Sequence, residues 1–154
     1  MHFVIEFKLA VMGKYPMNRW PKCLFLLAFV LLVAGCANLT ASGTRTQPKG
    51  VVEFQVASNY QDVYRLIYKN AQRCLDSGSA RVVRGNMFPD NKTAEVMLNL
   101  VGTAAMPLVV DIKAAPTGTS VTSSYAFNFF HMWKKSAKAT ELWAQGDNSF
   151  CPDI

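Results

Sequence analysis

Residues Cys23–Ala34 form an apolar run without one polar side chain, and a run of that length has few possible fates. As a helix it would rise only ~18 Å at about 1.5 Å per residue, short of the roughly 20 residues that a bilayer-spanning helix needs. The length is that of the apolar region of a secretory signal peptide. Met17–Lys22 ahead of it carries Arg19 and Lys22, two cations that would stay on the cytoplasmic side during export. Behind it, Leu32-Val33-Ala34-Gly35-Cys36 narrows to small residues and ends in a thiol.

This last segment resembles a bacterial lipobox, and Met17–Cys36 is similar throughout to the signal of small Gram-negative, proteobacterial lipoproteins of unassigned function. The resemblance implies that the Cys36 thiol receives a diacylglyceryl group, that cleavage falls between Gly35 and Cys36, and that the new amino terminus is then acylated. Several acyl chains give stable attachment where one gives only marginal binding. Ala37 stands where an acidic residue would signal retention in the inner membrane, so the resemblance also implies the outer membrane, inner leaflet, facing the periplasm. Residues 1–16 precede a signal that is already complete over 17–35, and they read as a misassigned N-terminal extension.

A chain of 154 residues has room for one domain, since domains typically hold about 100 to 200. Residues 36–50 are polar, small and aperiodic, and read as a lipidated cysteine followed by a flexible tether of about 20 Å root-mean-square span. Residues 51–154 read as the domain. Val51–Val56 alternates apolar and polar as a half-buried strand does. Ser58 or Asn59 can cap the helix that follows, in which Val63, Tyr64, Ile67, Ala71 and Cys74 share one face up to about Ser77-Gly78.

Four further strands are expected at Arg81–Phe88, Thr93–Val101, Pro107–Ala115 and Thr119–Phe127. Short turn-rich links between them imply antiparallel hairpins. In the second and third of these, Val96, Leu98 and Leu100, then Leu108, Val110 and Ile112, form the apolar sides. A closing helix over Asn128–Gln145 buries Phe129, Trp133, Ala137, Thr140 and Trp143 or Ala144, and Gly146 stops it. The expected fold class is α+β, in the order β-α-β-β-β-β-α: an antiparallel sheet of about five strands with two helices on one face. That order resembles helix-grip and TBP-like modules.

Besides Cys36, the chain past the signal has Cys74 and Cys151, and an even pair in an oxidising compartment is expected to be a disulfide. Catalytic motifs are absent. His131 is the single histidine after Cys36 and reads as a helix N-terminal residue, no serine sits in a nucleophile elbow, and no cofactor or metal pattern occurs. Glu95 and Asp111 read as solitary, solvated carboxylates on opposite-facing strand positions. The formal charge of +6 falls to +3 past Cys36, twelve basic residues against nine acidic ones. These basic residues are dispersed, unlike the clustered stripe of a nucleic-acid binder, so no nucleic-acid partner is expected. The aromatic surplus offers one candidate groove, formed by Tyr68, Tyr125 and Trp133. Anchor, missing catalytic apparatus and aromatics together point to a non-enzymatic binding or scaffold module that engages the membrane through Cys36 and an envelope protein. The alternative is a carrier of a small apolar ligand between helix and sheet.

Overall fold

A computed structural model describes residues 40–127 and 131–153. Within them the chain runs α1 (Ala41–Thr46), β1 (Gly50–Val56), α2 (Tyr60–Leu75), β2 (Arg81–Phe88), β3 (Thr93–Leu100), β4 (Leu108–Ala115), β5 (Gly118–Tyr125) and α3 (Met132–Ala144), with a 3-10 turn, Pro89–Asn91, between β2 and β3. The five strands form one antiparallel sheet in the order β1-β5-β4-β3-β2. Three successive hairpins build β2 to β5. β1 closes onto β5 with Gly50 opposite Tyr125 and Val56 opposite Thr119, so α2 must carry the chain from one edge of the sheet to the other.

α2 starts where a side chain can satisfy its free N–H groups: Asn59 Oδ1 accepts from the backbone N–H of Gln61 and Asp62. Its 3.6-residue stripe, Val63, Ile67, Ala71 and Leu75, is fully buried against the apolar face made by Val83, Val96, Leu98, Leu108, Val110, Ile112 and Val121. α3 adds Trp133, Ala137, Ala139, Trp143 and Ala144 to the same core. The helix-to-sheet fit includes one buried polar pair, Ser123 Oγ and Thr140 Oγ1 at 2.7 Å, with Thr140 also donating to the Ala137 carbonyl. A buried hydroxyl without such a partner would cost about 1–3 kcal/mol.

The C-terminal tail is stitched to both helices. Cys74 and Cys151 form a disulfide with Cα atoms 5.3 Å apart and a sequence separation of 77. Around it Asn70 Nδ2 donates to Asn148 Oδ1 at 2.7 Å, Arg73 donates to the Asn148 carbonyl, and Trp143 Nε1 donates to the Phe150 carbonyl at 2.8 Å. Gly146, at φ +89°, supplies the left-handed residue that turns the chain out of α3.

Two expectations need correction. The segment assigned to a flexible tether up to Gly50 is folded from Thr40 onward, because Thr40 caps α1 through a bond from the Gly43 N–H and because Thr44 is wholly buried. The sheet therefore carries two long helices on one face and a third, short one on the other. The closing helix was expected from Asn128; residues 128–130 lie outside the described ones. His131 sits at φ +62° immediately before Met132, in the N-cap position of the helix Met132–Ala144.

Candidate functional site

Side chains alternate across a strand, so the face turned away from α2 and α3 collects the complementary residues of every strand. The register aligns one row of them across the whole sheet: Glu53 opposite Thr122, Thr122 opposite Asp111, Asp111 opposite Glu95, and Glu95 opposite Asn86. Glu95 and Asp111 are thus direct cross-strand neighbours. Like charges in that relation destabilise a sheet, and α1 supplies the remedy.

α1 lies over β4 and β5 on this face, where Val109, Ser124 and Met97 are buried. Thr44 Oγ1 donates to the Met106 carbonyl at 2.8 Å, which fixes the helix and aims the next residue, Arg45, at the row. Arg45 Nε donates to both Asp111 oxygens at 3.1 and 2.9 Å and Nη2 donates to Asp111 Oδ1 at 2.7 Å. Nη2 also reaches Glu95 Oε2, while Glu95 Oε1 accepts from Asn86 Nδ2 at 2.9 Å. One guanidinium fork thereby bridges two strands, a geometry that lysine cannot reproduce. The bonds to Asp111, opposed by partial burial and joined by those to Glu95, push the Arg45 guanidinium still further above its usual range.

The expectation of solitary, solvated carboxylates on opposite faces is therefore wrong. Val96 and Leu98 face the same core as Leu108 and Val110, so their neighbours Glu95 and Asp111 must share the other face. What sequence reasoning missed entirely was Arg45. The segment Ala41–Thr46 has no apolar periodicity, and its one legible signal is a threonine able to cap it. Chemically the cluster turns inward: Arg45 Nε and Nη2 are spent on the two carboxylates, and the bonds hold α1 on the sheet.

The aromatic groove is not assembled. Tyr64 and Tyr68 stack in parallel, ring centroids 5.6 Å apart, and lie across Gly85 of β2, where a Cβ would fall 2.6 Å from Tyr64 Oη and 2.8 Å from Tyr68 Cδ2. The Tyr125 ring covers Gly50 on the neighbouring strand, where a Cβ would fall 2.2 Å from its hydroxyl. Trp133 packs edge-on to Phe127 at 5.9 Å. Tyr125 and Trp133 are buried, at 7% and 4% exposure. Tyr68 therefore sits at the β2 edge while the other two belong to the core on the β1–β5 side. Bare glycine backbone is what draws the two tyrosine sites in, since a flat ring can replace the missing side chain.

The space inside the core is small where the described residues enclose it. Between α2, α3 and the sheet, the apolar cavity lined by Ile67, Leu75, Leu98 and Trp143 measures about 10 Å³, room for one water. A shallow depression of about 280 Å³ lies on the open face beside Glu53, Gln55, Ser120 and Thr122. Among the described residues no group of three or more histidine, cysteine, aspartate or glutamate side chains is placed to hold a metal ion. Gly35 and Cys36 lie outside the described residues. No family model matches the chain, and neither a characterised protein nor a solved structure is significantly similar to it.

Proposed function

We propose that this chain is a bacterial envelope lipoprotein, anchored through Cys36 to the inner leaflet of the outer membrane, whose periplasmic domain is a non-enzymatic binding or scaffold module for another envelope component. The observation that carries the reading is the order of cations, apolar run and Leu32-Val33-Ala34-Gly35-Cys36, each part of which has a separate role in export and acylation. The Cys74–Cys151 disulfide supports it, since such bonds persist in oxidising compartments.

Support for binding over carriage comes from where space is found. Ligand pockets usually measure about 300–1,000 Å³, and the cavity that the described residues of α2, α3 and the sheet enclose is far smaller, about 10 Å³. The hydroxyl and amide groups beside Glu53 on the open face offer a partner hydrogen bonds on a rigid sheet instead. Cells grown with labelled palmitate test the anchor: label on the mature protein and its loss in Cys36→Ala are the expected results, and an unlabelled product sinks the reading. Envelope cross-linking with Thr122→Arg tests the module. A partner adduct lost in that variant is expected, whereas no reproducible adduct in the parent counts against a scaffold.

A further inference from the structure

The chain before α1 decides which end of the domain faces the bilayer, if Cys36 is acylated as proposed above. Three residues, Ala37, Asn38 and Leu39, separate Cys36 from Thr40, so the backbone of Cys36 can reach no farther than ~14 Å from that of Thr40 at up to about 3.6 Å per residue. Thr40 is itself placed. Its carbonyl accepts from the Thr44 N–H at 2.8 Å, and Thr44 Oγ1 donates to the Met106 carbonyl at 2.8 Å. One helical turn thus separates the start of the folded domain from the β3–β4 loop.

That loop has the composition of a surface that meets lipid. Val101-Gly102-Thr103-Ala104-Ala105-Met106 carries no charge, and Val101, at 50% exposure, is the most exposed large apolar side chain among the described residues. The loop is also held stiff. Leu100 N–H donates to the Ala105 carbonyl at 3.0 Å, Val101 N–H to the Ala80 carbonyl at 3.0 Å, Thr103 Oγ1 donates to the Leu100 carbonyl at 3.0 Å, and the Ala105 N–H donates to Thr103 Oγ1 at 3.1 Å. A presented apolar tip costs little ordering entropy when it inserts.

Cations flank it on both sides. Arg81 pairs with Leu100, next to Val101. Lys49 donates its N–H to the Tyr125 carbonyl, and Tyr125 pairs with Leu108 at the other end of the loop. Asp76, the acid on the adjoining turn, is occupied by the N–H groups of Val83 and Gly78.

We infer that the Val101–Met106 loop is the bilayer-contacting end of the domain: its apolar tip enters the headgroup region of the leaflet that holds the Cys36 acyl chains, with Lys49 and Arg81 against anionic lipid phosphates. Each such cation near a charged membrane surface adds a favourable increment. Phe88, the last residue of β2 and also exposed, lies at the opposite end of that strand, about 23 Å away at roughly 3.3 Å per residue, so in this orientation it stands on the periplasmic side.

The test uses the full lipidated protein, reconstituted into vesicles of phosphatidylethanolamine and phosphatidylglycerol with brominated acyl chains. Val101→Trp and Ala104→Trp place a fluorophore at the loop, and Phe88→Trp places one at the far end. The added emission at 101 and 104 is expected to fall about twofold or more against unbrominated lipid, as for an indole about 5–10 Å into the interface, and that at 88 to stay unchanged. No quenching at 101 and 104 in protein that floats with the vesicles overturns the inference and leaves the anchor standing. Equal quenching at 88 also overturns it. Protein that neither floats nor carries acyl mass on Cys36 overturns the anchor and the inference with it. A diazirine-bearing phospholipid needs no substitution: label on the tryptic peptide Thr93–Lys113 supports the loop, and label on Gly85–Lys92 in its place refutes it.

Discussion

Replacing Arg45 with methionine removes the charge but keeps most of the stem, and isolates what the guanidinium does for the open face. Two terms set the cost. The first is the loss of the fork onto Asp111 and the bond to Glu95; hydrogen bonds to charged groups are worth about 1.5–3 kcal/mol when buried. The side chains here are 33%, 18% and 39% exposed, so solvent screening cuts this to roughly 1 kcal/mol. The second term is the repulsion left behind. Carboxylates on directly opposed strand positions about 5 Å apart repel by roughly 1.5–3 kcal/mol at an effective dielectric of about 20 to 40, less what the side chains recover by splaying.

Arg45→Met should therefore destabilise the protein by about 2–3 kcal/mol, well beyond the 0–1 kcal/mol of an ordinary surface ion pair. Adding Glu95→Gln to that variant removes the repulsion and should restore roughly half of the loss. Equilibrium urea unfolding with the disulfide intact measures both. An Arg45→Met variant within about 0.5 kcal/mol of the parent, or a double variant no better than the single one, refutes the reasoning.

Three further outcomes are expected. Cys74→Ser with Cys151→Ser should lower stability by about 4.5 kcal/mol at most, the chain-entropy value for a loop of this length, and free the tail for proteolysis near Asn148; unchanged urea midpoints would contradict it. Asp76 is held below the usual carboxylate range, first by the Val83 N–H and then by that of Gly78. Its contribution is present above the unfolded carboxyl pKa and lost as the pH falls through the lower folded value, so Asp76→Asn should flatten the acid limb of the stability profile below about pH 4. Gly50→Ala should cost about 1–3 kcal/mol as an overpacked site, because the new methyl falls on the Tyr125 ring. Thermal unfolding reads that cost, and adding Tyr125→Leu should recover part of it.

The parts of the fold set by periodicity were legible. The stripe Val63, Ile67, Ala71 in α2 and the alternation in β2 to β5 report burial against one core, and burial is what hydropathy patterns encode. The cysteine pair was legible because parity and compartment speak to it without geometry. The open face was not, for a physical reason. α1 is held by an arginine, a buried threonine hydroxyl and a cap, none of which leaves a periodic apolar trace, and its carboxylate partners come together only once the register of β3 on β4 is known. The aromatic groove failed differently: Tyr68 and Tyr125 carry polar tips that suggest a surface, but Gly85 and Gly50 give their rings flat backbone to cover.

If Cys36 carries the anchor proposed above, the clamp also sets how far the domain stands from it. With α1 docked, three residues separate Cys36 from Thr40, whereas release of α1 would lengthen the tether to Lys49 and raise its span to about 20 Å. A helix of six residues is far below the roughly 12–15 at which isolated helices become marginal in water, so α1 persists only while Arg45 and Thr44 hold it. Glu95→Gln with Asp111→Asn leaves Arg45 in place as a trypsin site but takes away its charged partners. If the clamp contributes about 2 kcal/mol to closing α1, the open population rises roughly 30-fold, and cleavage after Arg45 or Lys49 should quicken by about that factor where opening is fast relative to cutting. Release of the domain from isolated membranes into the soluble fraction reports the cut. A release rate equal to the parent's would mean that packing on Val109 and Met97 holds α1 without the arginine.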